Sequence, residues 1–297
     1  MGLCRSDNSL YAMDGIEFHQ LVRTFQNVEA LPQLPDSAIR LVQICEDEEA
    51  TIHDAEQVVS TDAGLITMVI KAASTARFAS TGGPATTVNA AVMRLGMRAL
   101  KSLAMAHAFR SLIHQRHESD YYDPARLAKH SIFSGLATQF LFDREYGSRG
   151  HDLEEVFTFG LLHDFGSCLF ATVAPGLFDD CWKQAQKAGE TFEQTFFKIY
   201  DEPLATLGWA AATAWGLPDI FVEFLHARTR RDEPSDLQPV DDIVAMADDF
   251  APAFGYAFEP WLEAMDIVGL DKEEQEELKR SVDEYCAHAF SMWSSAA

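Results

Sequence analysis

The sequence predicts an all-α protein. Apolar residues recur at helical spacing along most of the chain, strand-type alternation is nearly absent, and Pro, Gly and polar runs cut the chain into helix-length pieces. These breaks leave room for about fourteen helices.

In order, residues 1–13 read as a loose polar start. From Asp14 to Val28 the residues Ile16, Leu21, Val22 and Phe25 recur near helical spacing. LPQLP at 31–35 places two prolines three apart, which forbids a helix interior and favours an extended lead-in. Asp36 or Ser37 can cap the helix that follows. Another helix runs from about Ile52 to Ser60, with Thr51 and Asp54 at a capping-box spacing, and Asp62 can cap the next, AGLITMVIKAAS. TGGPATT at 81–87 is a break, followed by two apolar helices joined near Gly96.

HQRHESDYYDP at 114–124 is the strongest internal boundary. Its His114 and His117, three apart, suit a frayed helix end better than a ligand pair. A long helix from Ala125 to Tyr146 carries His130 among apolar residues. Val156–Phe170 reads as one buried helix, and the helices after it run to an acidic, amphipathic tail.

The balance of charge excludes some functions. The 297 residues carry a formal net charge of −23 and a pI near 4.6, against non-specific binding to DNA, RNA or an anionic membrane. Five Cys with no CxxC fit reduced thiols in a cytoplasm. No secretory segment is expected at the N-terminus, and no apolar run is expected to span a bilayer. MGLCRS matches a myristoylation pattern, with Gly2 and Ser6 correctly spaced, but the pattern is short and common by chance. There is no Gly-rich phosphate loop, no GxSxG and no HExxH.

The candidate chemistry lies in VFTFGLLHDFGSCLF, where His163 and Asp164 sit side by side in an apolar stretch. The other two His-Asp dipeptides, at 53–54 and 151–152, fall at helix starts or in polar loops and read as solvated. A buried carboxylate and imidazole need partners. The pair is either a hydrogen-bonded core pair or part of a metal site. His130, His226 and Asp248 also recur on apolar helices, and His130, His163, Asp164 and Asp248 make an ordered set H…HD…D. Such N and O donors suit Mn, Fe or Zn. Adjacent helical residues point about 100° apart, so both reach one ion only in a groove between helices. Gly160, Gly166 and Ser167 are small enough to allow that approach.

The segments LPQLPDSAIRLVQICED, STDAGLITMVIKAASTARFAS, VNAAVMRLGMRALKSLAMAHAF, KHSIFSGLATQFL, FGLLHDFGSCLF and WGLPDIFVEFL resemble, in order and spacing, the HDOD domain, a bacterial signalling family related to the HD phosphohydrolases. The resemblance covers roughly Phe25 to Arg230, with Asp248 matching the last HD aspartate more loosely. It implies an N-terminal helical subdomain (14–118) packed on an HD-like helical bundle (119–254), with 255–297 as a C-terminal helical extension. It also implies a regulatory output module, cytoplasmic, acting on signalling protein partners, with no nucleic acid and no membrane.

The chain departs from relatives with a fuller ligand set. A His there matches Leu204, and a His-His pair matches Arg228-Thr229, with His226 falling two residues early. A two-metal site, as in the HD-GYP phosphodiesterases of cyclic di-GMP, therefore reads as broken, while a one-metal set survives. The expected cofactor is at most one divalent ion, Mn, Fe, Zn or Mg. The expectation is a non-enzymatic module; the alternative is a metal-dependent phosphohydrolase using the H…HD…D site. Of the cations, Lys129 beside His130 is the nearest to serve a phosphate. With no receiver, GGDEF or kinase segment in the chain, input is expected in trans or through the N-terminal part or tail.

Overall fold

The computed structural model describes residues 18–74, 84–147, 151–230, 233–264 and 267–293, the last ten of these by backbone alone. The loose start, the myristoylation pattern, and parts of the TGGPATT and RTRRDEPSD loops lie outside the described residues. Within them the protein is all-α, with fourteen α-helices and no strand.

The N-terminal helices are α1 (Phe18–Gln26), α2 (Asp36–Glu46), α3 (Ile52–Val59), α4 (Ala63–Ala73) and α5 (Val88–Ile113). Thr51 and Asp54 form the capping box of α3, and Asp62 caps α4 by accepting from the N–H groups of Gly64 and Leu65. Neither Asp36 nor Ser37 caps α2. Pro35 precedes it without a side-chain cap, and the Ser37 hydroxyl instead donates to Asp62 at 2.6 Å. Gly96 kinks α5 with φ 73°, in the left-handed region that glycine enters without steric penalty.

The bundle comprises α6 (Pro124–Tyr146), α7 (Leu153–Leu162), α8 (Phe165–Val173), α9 (Pro175–Ala188), α10 (Phe192–Tyr200), α11 (Ala205–Trp215), α12 (Asp219–Thr229) and α13 (Gln238–Phe254), followed by α14 (Lys272–Trp293). The N-terminal helices pack on it through α5 against α7 and α1 against α11. The polar 114–124 segment is pinned to the bundle, where Ser119 donates to Asp179 Oδ1 and the Asp120 N–H to Asp179 Oδ2.

Two expectations change here. The single helix over 156–170 is two helices, with His163 closing α7 and Asp164 opening α8. The stretch Leu153–Val173 is also long and apolar enough, by composition, to cross a membrane. Here it is broken at His163-Asp164, and most of it is buried in the core.

The pairing of α6 with α7 positions the site. A Cβ on Gly160 would lie 2.5 Å from Thr138 Oγ1, 2.6 Å from Ser134 O and 2.9 Å from Gly135 Cα, so any side chain there would run into the backbone of α6. A Cβ on Gly166 would likewise meet backbone, Leu204 O at 2.6 Å. Gly160→Ala should therefore force α7 off α6 and lower stability by at least about 1–3 kcal/mol. Gly176→Ala, with nothing within 4 Å of the added methyl, should not. Urea unfolding of the two variants checks this, and an unchanged midpoint for Gly160→Ala would refute the close-contact account.

Candidate metal centre

Four side chains from separate helices meet where α7 breaks into α8. His130 comes from the first half of α6, His163 and Asp164 from the break, and Asp248 from α13. Because the chain leaves helical geometry at Asp164 (φ −92°, ψ 18°), His163 and Asp164 need not diverge as they would in one continuous helix. His130 Nε2 and His163 Nε2 are 3.2 Å apart. Asp164 Oδ2 lies 3.2 Å and Asp248 Oδ1 3.3 Å from His130 Nε2. His163 Nε2 is 3.6 Å from Asp164 Oδ1 and 3.7 Å from Asp248 Oδ1. Ligand atoms of His130, His163 and Asp164 all fall within 4.8 Å of one another.

The outer nitrogens decide the protonation. His130 Nδ1 is 3.1 Å from Tyr256 O, and His163 Nδ1 is 2.7 Å from Gly160 O. A carbonyl oxygen only accepts, so both Nδ1 atoms carry protons and both Nε2 lone pairs face inward. With two carboxylates, that makes four acceptors and no donor, an arrangement that requires a cation. A divalent ion fits, with the Nδ1–H bonds fixing the tautomer as they do around His-ligated metals. Without an ion, one proton must serve. Burial pushes the His130 imidazole down, but the hydrogen bond to Asp164 and the charges of Asp248 and Asp164 outweigh this and raise its pKa to about 9. Both carboxylates are held below the usual range: burial is outweighed for Asp164 chiefly by the two imidazoles, and for Asp248 by its bond to His163 and the charge of His130.

Both imidazoles are almost fully buried, while the Asp248 side chain is 45% exposed through a cavity of about 1040 Å³ onto which the cluster opens. Protein surrounds this carboxylate on several sides, and its Oδ1 still turns to the imidazoles. Leu204, Arg228 and Thr229 line the same cavity. Arg228 is 5% exposed and bonded to Asp241, its Nε atom has no hydrogen-bond partner, and its charge helps hold Asp164 ionised. Glu259 also lines the cavity. Burial pushes its carboxyl up to about 7, although the Phe192 N–H donates to it.

Other sequence expectations land elsewhere. Lys129 is exposed and does not line the cavity; Arg228, which the resemblance marks only as a lost ligand position, is the buried cation beside the site. His226 stacks on Trp209 at 4.5 Å. His114 bonds the Arg110 carbonyl while His117 packs edge-on to Tyr122, so the two do not converge. His151 is not simply solvated: it packs against Phe142 and Phe159. Nothing in EPWLE marks Glu259 as a cavity residue.

A family model of the HDOD domain matches residues 31–230. The chain belongs to the HDOD domain family. Comparison with curated proteins gives no match. Among solved structures, this HDOD chain is similar to an HDOD domain protein of unknown function from Geobacter sulfurreducens, with 17% identity, a TM-score of 0.66, and 94% of this chain and 98% of that chain covered. It is also similar to a candidate metal-dependent phosphohydrolase from Shewanella amazonensis SB2B, with 19% identity, a TM-score of 0.59, and 89% and 98% covered. A candidate signal transduction protein from Marinobacter aquaeolei VT8 gives 21% identity and a TM-score of 0.63, with 97% of this chain but 64% of that chain covered. At these identities the likeness establishes the HDOD fold. Asp248 and the segment after it lie beyond the matched residues.

The cluster sets a pH dependence. A His pKa raised from 6.5 to about 9 contributes stability that is full below 6.5 and lost as pH rises through 9. In chelator, the metal-free protein should lose about 2 kcal/mol between pH 7 and 9.5. Urea titrations at the two pH values measure this, and His130→Asn should flatten the slope. An equal slope in that variant would place the proton elsewhere.

Proposed function

We propose that this HDOD chain is a non-enzymatic signalling module, acting through protein partners, whose HD-type site holds a single divalent ion. The carrying observation is that Leu204 and Arg228 stand in the wall of the cavity that also holds His130, Asp164 and Asp248. At these positions, relatives with a second ion are expected to carry donors.

An apolar side chain supplies no ligand, and a guanidinium buried beside Asp164 repels a second cation. The pair of ions that clamps the attacking and leaving oxygens in two-metal hydrolysis therefore lacks its second seat. A bound ion would neutralise the two carboxylates and acidify its water. His130 and His163 would hold it through Nε2, and Asp164 and Asp248 through their carboxylates. The cavity opposes phosphoryl chemistry as well. Its lining includes Glu193, Glu233, Asp249, Glu259 and Glu263, while Lys198 is paired with Glu190, Arg230 with Glu233 and Arg228 with Asp241. The paired cations leave little free positive charge to gather on a phosphate.

Metal analysis of purified protein should give one divalent ion per chain, lost in Asp164→Asn with the fold retained. Assays against nucleotides, cyclic dinucleotides and phosphomonoesters should give no metal-dependent turnover. A metal-dependent hydrolysis that Asp164→Asn abolishes would instead establish the phosphohydrolase alternative.

A further inference from the structure

The segment from Gly255 to Glu263 crosses the cavity as a strap, beyond the residues matched to the HDOD family. It is tied at each step. The Tyr256 carbonyl accepts from His130 Nδ1, and the Tyr256 ring stacks on Phe133 at 5.2 Å and 13°. Phe258 lies 6.2 Å from the His130 ring and 5.1 Å from Trp182. Glu259 accepts from the Phe192 N–H, and Trp261 Nε1 donates to Glu190 O. Beyond the cavity, the Tyr256 hydroxyl donates to Asp283 of α14 at 2.8 Å. α14 also packs on α6, the helix that carries His130, with Leu278 and Val282 fully buried.

We propose that this strap couples occupancy of the ion site to the seating of α14, making α14 the element that reports the ion. The inference rests on the one-ion reading above. One residue, Tyr256, orients His130 through its carbonyl and grips α14 through its hydroxyl. An ion that fixes the His130 ring fixes the carbonyl it donates to, and with it the backbone that aims the Tyr256 ring. The coupling is reciprocal: whatever α14 adds to ion affinity, the ion adds to the seating of α14.

The test uses the full chain and Mn²⁺. Calorimetry gives affinity, and hydrogen exchange of the α14 amides gives seating. In the parent, Mn²⁺ should slow exchange across α14. Tyr256→Phe keeps the ring and the carbonyl but removes the grip on Asp283. It should still bind one Mn²⁺, about two- to tenfold more weakly, the worth of one net hydrogen bond, and should lose most of the slowing. Asp283→Ala cuts the same bond from the exposed end and should match it, while Ser281→Ala, exposed on the same helix, should behave as the parent. Mn²⁺ binding with no change in α14 exchange overturns the coupling and leaves the ion site standing, as does parent-like behaviour in both Tyr256→Phe and Asp283→Ala. Absence of Mn²⁺ binding rejects the one-ion reading and the coupling together.

Discussion

The Nε2 atoms of two imidazoles, whose Nδ1 protons are committed to backbone carbonyls, face each other and two carboxylates across 3.2–3.7 Å. Acceptors at that spacing repel unless a positive charge lies among them, and burial makes the repulsion stronger because little water is present to screen it. Much of the bundle serves this one arrangement. The chain breaks between α7 and α8 so that neighbouring residues can face one point, and Gly160 brings α7 onto the backbone of α6, which supplies His130. α13 closes the set with Asp248, and the strap after it supplies the carbonyl that orients His130.

The surroundings limit what that charge can do. An HD-type pocket that handles phosphate with two ions needs a second set of donors and free cations. Here Leu204 lines the cavity, with its carbonyl oxygen 2.6 Å from where a Cβ on Gly166 would lie, while Arg228 is buried against Asp241. In the one-ion reading proposed above, Arg228 adds positive charge near Asp164 without supplying a bound water.

The fold was largely legible because helices and their punctuation are local. Thr51 with Asp54, Asp62 and the kink at Gly96 could each be read from a few neighbouring residues. The break at His163-Asp164 was not legible. An unbroken apolar run looks helical throughout, and the interruption is imposed by tertiary demand for converging side chains. Ser37 was misread as a cap for the same reason, since its partner Asp62 is distant in sequence. The four cluster residues stood out as polar groups on apolar helices. Arg228 did not, because a buried cation depends on Asp241 across a turn, and an Arg near a helix end ordinarily reads as solvated. Glu259 and the strap carry no periodic signal.

In the one-ion reading the cluster exchanges one positive charge for another, a proton on His130 for a divalent ion. Titrating Mn²⁺ into metal-free protein near pH 7.5, in buffers of different ionisation enthalpy, counts ions and protons together. One ion should bind with about one proton released per chain, because the His130 imidazolium must give up its Nε2 proton to become a ligand. Binding of two ions, or of one ion with no proton released, would contradict that reading.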